Sequence, residues 1–173
     1  MAPFAGTGST ASTGPVARLV RQGSAALAIL GGVLVLALAV LVTASVLLRW
    51  LTSQGIPGDF ELAQMGMSIA VFAFLPFCQL HRHNIFVDTF TSMAPRRFQA
   101  ALDALWALIY AVIAGLIAWE MVIGAWETIA NATTTMVLEL PVGWAIVVAA
   151  LLTAWLTLVA LYTATQALAR LRS

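Results

Sequence analysis

The sequence predicts an all-α membrane protein of four transmembrane helices, N and C termini cytoplasmic, with a short amphipathic interfacial helix between spans two and three. Three observations carry this. The 173 residues are 62% hydrophobic and 9% charged, where soluble domains average roughly 45–50% apolar and about 25% charged. Four separate segments each supply the ~20 apolar residues needed to cross ~30 Å of hydrocarbon. Seven of the eight basic residues, all arginine, fall on one side of a four-span topology. Helices follow because lipid offers no partner to an unpaired backbone N–H or C=O. A net charge of +1 leaves no footprint for nucleic acid.

Residues 1–17 are small and polar with two prolines. They cannot bury enough surface to offset ordering, and read as a flexible cytoplasmic tail. Residues 18–173 form the membrane domain. Span one covers about 24–48, after Arg18 and Arg21. Its apolar run exceeds the ~7–15 residues of a signal-peptide core, so it is read as a retained helix. Span two covers about 60–80, with Pro76 near its end; a proline there should kink it. Span three covers about 98–126 and span four about 142–169, ending before Arg170 and Arg172. The positive-inside rule puts both termini and the loop around 81–97 in the cytoplasm. Arg49, Glu127, Glu139 and the "NATTT" turn at 131–135 then lie outside.

In lipid, helices approach closely through small side chains. Span three offers Ala107, Ala111 and Gly115, with Ala114 and Ala118 beside them; span four offers Ala145, Ala149, Thr153 and Thr157; span one offers Ser24, Ala28 and Gly32. Trp50, Phe60, Trp126 and Trp144 are placed to anchor at the interfaces. Trp106, Trp119 and Trp155 lie deeper, facing either lipid or a partner.

The segment "NIFVDTFTSMA" at 84–94 has Phe86, Phe90 and Met93 at i, i+4 and i+7. On a helix these make one apolar stripe, with Asn84 able to cap it and Pro95 able to open the next helix. The stripe either rests on lipid or clasps a neighbouring subunit.

No constellation for catalysis, cofactor or metal binding is expected. His81 and His83 are two apart and so diverge on a helix, and no histidine lies inside a span to hold a haem. Cys78 stands alone. Asp103 is expected at the cytoplasmic boundary. Glu120 lies about 33 Å along the helix from Phe98, which would put it near the outer edge, with Glu127 beyond. Interfacial carboxylates fit better than an ion relay, and no pair of broken, repeated spans marks a midplane site.

Four stretches carry a resemblance: "VLLRWLTSQGIPGDFELAQ" (46–64), "FLPFCQLHRHNIFVDTF" (74–90), "PRRFQAALDALW" (95–106) and "TTTMVLELPVGWAIV" (133–147). In this order they resemble the small, DctQ-like membrane subunit of tripartite ATP-independent periplasmic (TRAP) transporters, over roughly residues 25–168. The matching pieces include Arg49, Glu61, the Ile85-x-Val87-Asp88 run, Pro95 with Arg97, and Leu140-Pro141. The family often has His before that run; here Asn84 stands there and His83 comes one earlier.

The resemblance implies a non-enzymatic scaffold subunit without a cofactor, in the bacterial inner membrane. Its partners would be a large multispanning subunit, a periplasmic substrate-binding protein and membrane lipid. The large subunit would move an organic acid, coupled to sodium. The candidate interface residues are Arg49, Glu61, Ile85, Phe86, Val87, Asp88, Phe90, Met93, Arg97 and Pro141. Arg49 and Glu61, at facing ends of spans one and two, are expected to pair. The alternatives are a stand-alone small ion or solute carrier and the anchor subunit of a redox complex.

Overall fold

The computed structural model describes residues 14–81 and 96–172. They form helices α1 (Pro15–Thr52), α2 (Asp59–Leu80), α3 (Arg96–Ala130) and α4 (Gly143–Arg172). All four contain stretches long and apolar enough to cross a membrane, as the sequence predicts. The expected interfacial helix at 84–94 lies outside the described residues.

Both α1 and α3 outrun their predicted spans. At ~1.5 Å per residue the 38 residues of α1 reach about 57 Å, nearly twice the ~30 Å of hydrocarbon. Nothing stops a helix at a lipid boundary; it stops where the backbone changes. Pro15 sits in the first turn of α1, where its missing N–H costs nothing. Ser53, at φ 61°, ends α1, and Gly58, at φ 75°, precedes α2. Pro76 is fully buried within α2 and the helix runs through it to Leu80.

The packing order places α4 at the centre. It lies along α3 most extensively and also against α2, which in turn packs along α1. The buried residues of α1 include Ala17, Ser24, Gly31, Leu38 and Ser45, each seven apart. Those of α3 include Ala104, Ala111, Ala118 and Ala125, with the same spacing. A seven-residue repeat keeps one narrow face on a partner when helices cross at the shallow left-handed angle common in membranes. Facing residues are equally small. A Cβ placed on Gly31 would sit 3.1 Å from Ala73 Cβ, and one on Gly66 would sit 2.8 Å from Leu38 Cδ1.

This shifts one expectation by a residue. The four-residue spacing Ser24, Ala28, Gly32 points to Gly32, yet a Cβ there meets nothing within 4 Å. The seven-residue repeat selects Gly31 instead, because α1 has one partner along most of its length and so needs only a narrow seam. On α3 the expected Ala111, Ala114 and Ala118 are buried, and on α4 so are Ala145, Ala149 and Thr153.

Polar side chains bridge the helices sparingly. Trp155 Nε1–H donates to the buried Ser24 Oγ (3.2 Å), tying α4 to α1. Gln79 Nε2 donates to Thr163 Oγ1 (3.4 Å) between α2 and α4. Thr153 Oγ1 donates to Ala149 O (2.8 Å) and lies 3.5 Å from Met121 Sδ, which fixes the register of α3 on α4. Trp155 thus turns inward, whereas Trp106 and Trp119 are exposed.

The adjacent glycines test this seam. Overpacking a tight contact costs about 1–3 kcal/mol, so G31L should lower the melting temperature in mild detergent. G32A should leave it unchanged or raise it, since alanine gains up to about 1 kcal/mol over glycine in a helix. Equal effects at the two positions would contradict the seam.

Candidate functional site

α1 ends, α2 begins, α3 ends and α4 begins at one end of the bundle. Two connections, 53–58 and 131–142, cover this loop end. Each is locked to a helix by one side chain from below.

The first lock is Ser45, fully buried in the last turns of α1. Its hydroxyl donates to Asp59 Oδ2 and accepts the Ile56 N–H (3.1 Å). Asp59 Oδ1 also accepts the Phe60 N–H (2.7 Å). A carboxylate in the first turn of α2 complements the positive end of the helix dipole. Arg49 Nη2 stands 3.9 Å from Asp59 Oδ2, with its side chain 64% exposed. At that distance and exposure the ion pair contributes little; the serine hydrogen bonds hold the turn.

The second lock is Glu61. Its Oε1 accepts the Val137 N–H (2.7 Å) and its Oε2 accepts the Leu138 N–H (3.0 Å). Two charge-assisted bonds to consecutive amides clamp the 131–142 loop onto α2. The loop is pre-shaped for this. Thr135 N–H donates to Leu140 O (2.9 Å), Val142 N–H to Thr133 O (3.1 Å), and Thr134 bridges Pro141 in antiparallel fashion. Leu140 N–H donates to Thr135 Oγ1 (3.1 Å). Leu138 lies on Gly58, where a Cβ would come within 2.2 Å of Leu138 Cγ. Gly58 therefore serves twice: its positive φ turns the chain, and its bare Cα admits the second loop.

These contacts replace the expected pairing of Arg49 with Glu61. Side chains two residues apart in one helical turn diverge by about 200°. Asp59 consequently faces α1 and takes Arg49, while Glu61 faces the other way and takes the loop.

Beneath the loop, residues of α2, α3 and α4 line a cleft of about 480 Å³. Phe60, Met65, Phe72, Met121, Ile146 and the exposed Met136 give it a mainly apolar lining. Exposed Trp50, Phe60, Trp126 and Trp144 ring this end of the bundle, the position of an interfacial aromatic belt.

Of the sequence candidates, the structure gathers Arg49, Glu61 and Pro141 at the loop end. Arg97 lies in the first turn of α3, at the opposite end. Ile85, Phe86, Val87, Asp88, Phe90 and Met93 lie outside the described residues. Ser45 and Asp59 were not among the candidates. A faint signal existed for both: Ser45 shares the seven-residue stripe with Ser24, and Asp59 follows a Pro-Gly turn at a helix start.

Glu120 stands six residues before Trp126 of the aromatic ring, about 9 Å along α3. Its neighbour Met121 meets Thr153, nine residues past Trp144 of the same ring, about 13 Å along α4. Glu120 is exposed, and among the described residues it has no hydrogen bond or ion pair.

A family model described as "Tripartite ATP-independent periplasmic transporters, DctQ component" matches residues 38–170. The match takes in both locks, the cleft and α2 to α4. No curated protein and no solved structure gives a significant match.

Removing the clamp should free the second loop. In E61A, hydrogen exchange at the Val137 and Leu138 amides should accelerate by roughly ten-fold, as both lose a charge-assisted bond to the carboxylate. The Ile56 amide, held by Ser45, should keep its protection. Unchanged exchange at 137 and 138 would contradict the clamp.

Proposed function

Since the chain belongs to the DctQ component family of tripartite ATP-independent periplasmic transporters, an inner-membrane transporter component, we propose that it is the scaffold subunit that braces the large membrane subunit. The family works within a system that also has a large membrane subunit and a periplasmic binding protein. The observation that carries the scaffold reading is the family match joined to the shape of the bundle. α4 is the most buried of the four helices, while α1 and α3 leave most of their apolar surface uncovered. Outer helices with this much free surface suit a subunit that completes its packing against lipid and another membrane protein.

The large subunit carries the transported organic acid and couples it to sodium. It slides or rocks against the small subunit, which stays fixed in the membrane plane. The loop end faces the periplasm, because seven of eight arginines belong to the opposite side. Its two clamped connections offer the binding protein a surface of constant shape. Arg49, Glu61 and Pro141 act there by holding the loops. On sequence grounds alone, Ile85, Phe86, Val87, Asp88, Phe90, Met93 and Arg97 contribute a cytoplasmic contact with the large subunit.

Affinity purification of the tagged chain in mild detergent, from cells with the whole transporter, tests this. One large multispanning protein should co-purify in fixed ratio. Recovery of the chain alone, or with a haem protein, would refute the scaffold reading.

A further inference from the structure

We propose that the face of α3 centred on Glu120 is the docking surface for a membrane helix of the large subunit, and that this helix brings an arginine or lysine side chain to the Glu120 carboxylate. The proposal rests on the scaffold reading above and names where the partner seats.

The alanine seam of α3, through Ala111, Ala118 and Ala125, faces α4. Glu120 is two residues past Ala118, so it projects about 200° around the helix, away from the bundle. Trp126 belongs to the aromatic ring at the loop end and is six residues further on. Glu120 therefore lies about 9 Å along the axis inside that ring. Its neighbour Met121 touches Thr153, nine residues past Trp144 of the same ring and so about 13 Å along α4. Both routes place the carboxylate inside the hydrocarbon, deeper than a short glutamate side chain can reach back from. Around it Ile113, Leu116, Ile117 and Ile123 are apolar and exposed. A bare carboxylate in such surroundings is costly, and intramembrane acids normally meet a partner.

The bundle supplies none, and neither does a second copy. The arginines are residues 18, 21, 49, 82, 96, 97, 170 and 172, none in the middle of a span. Two copies joined symmetrically through this face would also set one Glu120 against the other. Lipid tails carry no donor, and headgroups stay at the boundary. The complementary charge must come from a helix of a different membrane protein. One turn along, Gly124 leaves room for it. A Cβ there would meet no atom within 4 Å, so a partner backbone can approach closely beside the carboxylate.

The test uses the complex of co-expressed small and large subunits with a photo-crosslinking amino acid at Leu116. Illumination should join Leu116 to the large subunit. Removing one partner of a buried pair strands the other charge, so E120L should lower the adduct yield at least about ten-fold. E120Q should fall between E120L and the unaltered chain, and E120R should abolish the adduct. Mass spectrometry of the adduct should locate an arginine or lysine nearby in the partner, and replacing it with glutamate should restore E120R. The isolated small subunit carrying E120L should melt no lower than the unaltered one.

Crosslinking only to lipid or to a second copy, or wild-type yield in E120R, would overturn the proposal. So would a lower melting point of isolated E120L, which would assign Glu120 to the bundle's own fold. A complex that forms without the Leu116 adduct defeats this proposal and spares the scaffold reading. Failure of the unaltered subunits to associate defeats both.

Discussion

An apolar helix surface gains nothing by leaving lipid for protein, since the two are equally apolar. What holds membrane helices together is close fit, and close fit needs small side chains where backbones meet. In this chain the need is met by a seven-residue repeat, all alanine on α3 and small on α1 except at Leu38. Gly31 brings α1 close to the α2 backbone, and Gly66 of α2 makes room for the Leu38 side chain. The alanine seam of α3 does the same against α4. Because each seam is narrow, the outer helices keep broad apolar faces free for other contacts.

The loop end follows from that packing. Once α1 and α2 are close, Ser45 can reach Asp59 and the Ile56 amide. Once α2 and α4 are close, Glu61 can reach across to the amides of Val137 and Leu138. Each carboxylate accepts backbone N–H groups that the connections would otherwise leave to solvent. The two connections are thereby made rigid by polar contacts, although the helices beneath them associate through apolar ones. A subunit assembled this way has a fixed end and fixed sides. Those are the properties needed of a part against which another part moves.

Much of the fold was legible in the sequence. Hydropathy alone located four spans, because hydrocarbon permits few alternatives to a helix. Helix ends were less legible, since a helix continues past the lipid until a residue such as Ser53 or Gly58 turns the backbone. A four-residue spacing of small residues on α1 points to Gly32, whereas the packed seam repeats every seven residues and uses Gly31. At the loop end, the expected pairing of Arg49 with Glu61 gives way to Arg49 beside Asp59 and Glu61 on the loop amides. Glu61 meets amides 76 and 77 positions away, a contact no local pattern encodes. Which residues of α3 and α4 touch, Met121 and Thr153 among them, is likewise not visible in either helix alone.

As the proposed scaffold, this chain is the stationary member of a transporter whose cargo and coupling ion travel elsewhere. Flux through proteoliposomes tests this most directly, with the small subunit alone compared with the assembled complex. Sodium and labelled carboxylate uptake by the small subunit alone should equal that of empty vesicles, and uptake should arise when the large subunit and binding protein are added. Sustained sodium or carboxylate flux through the lone chain would contradict the account.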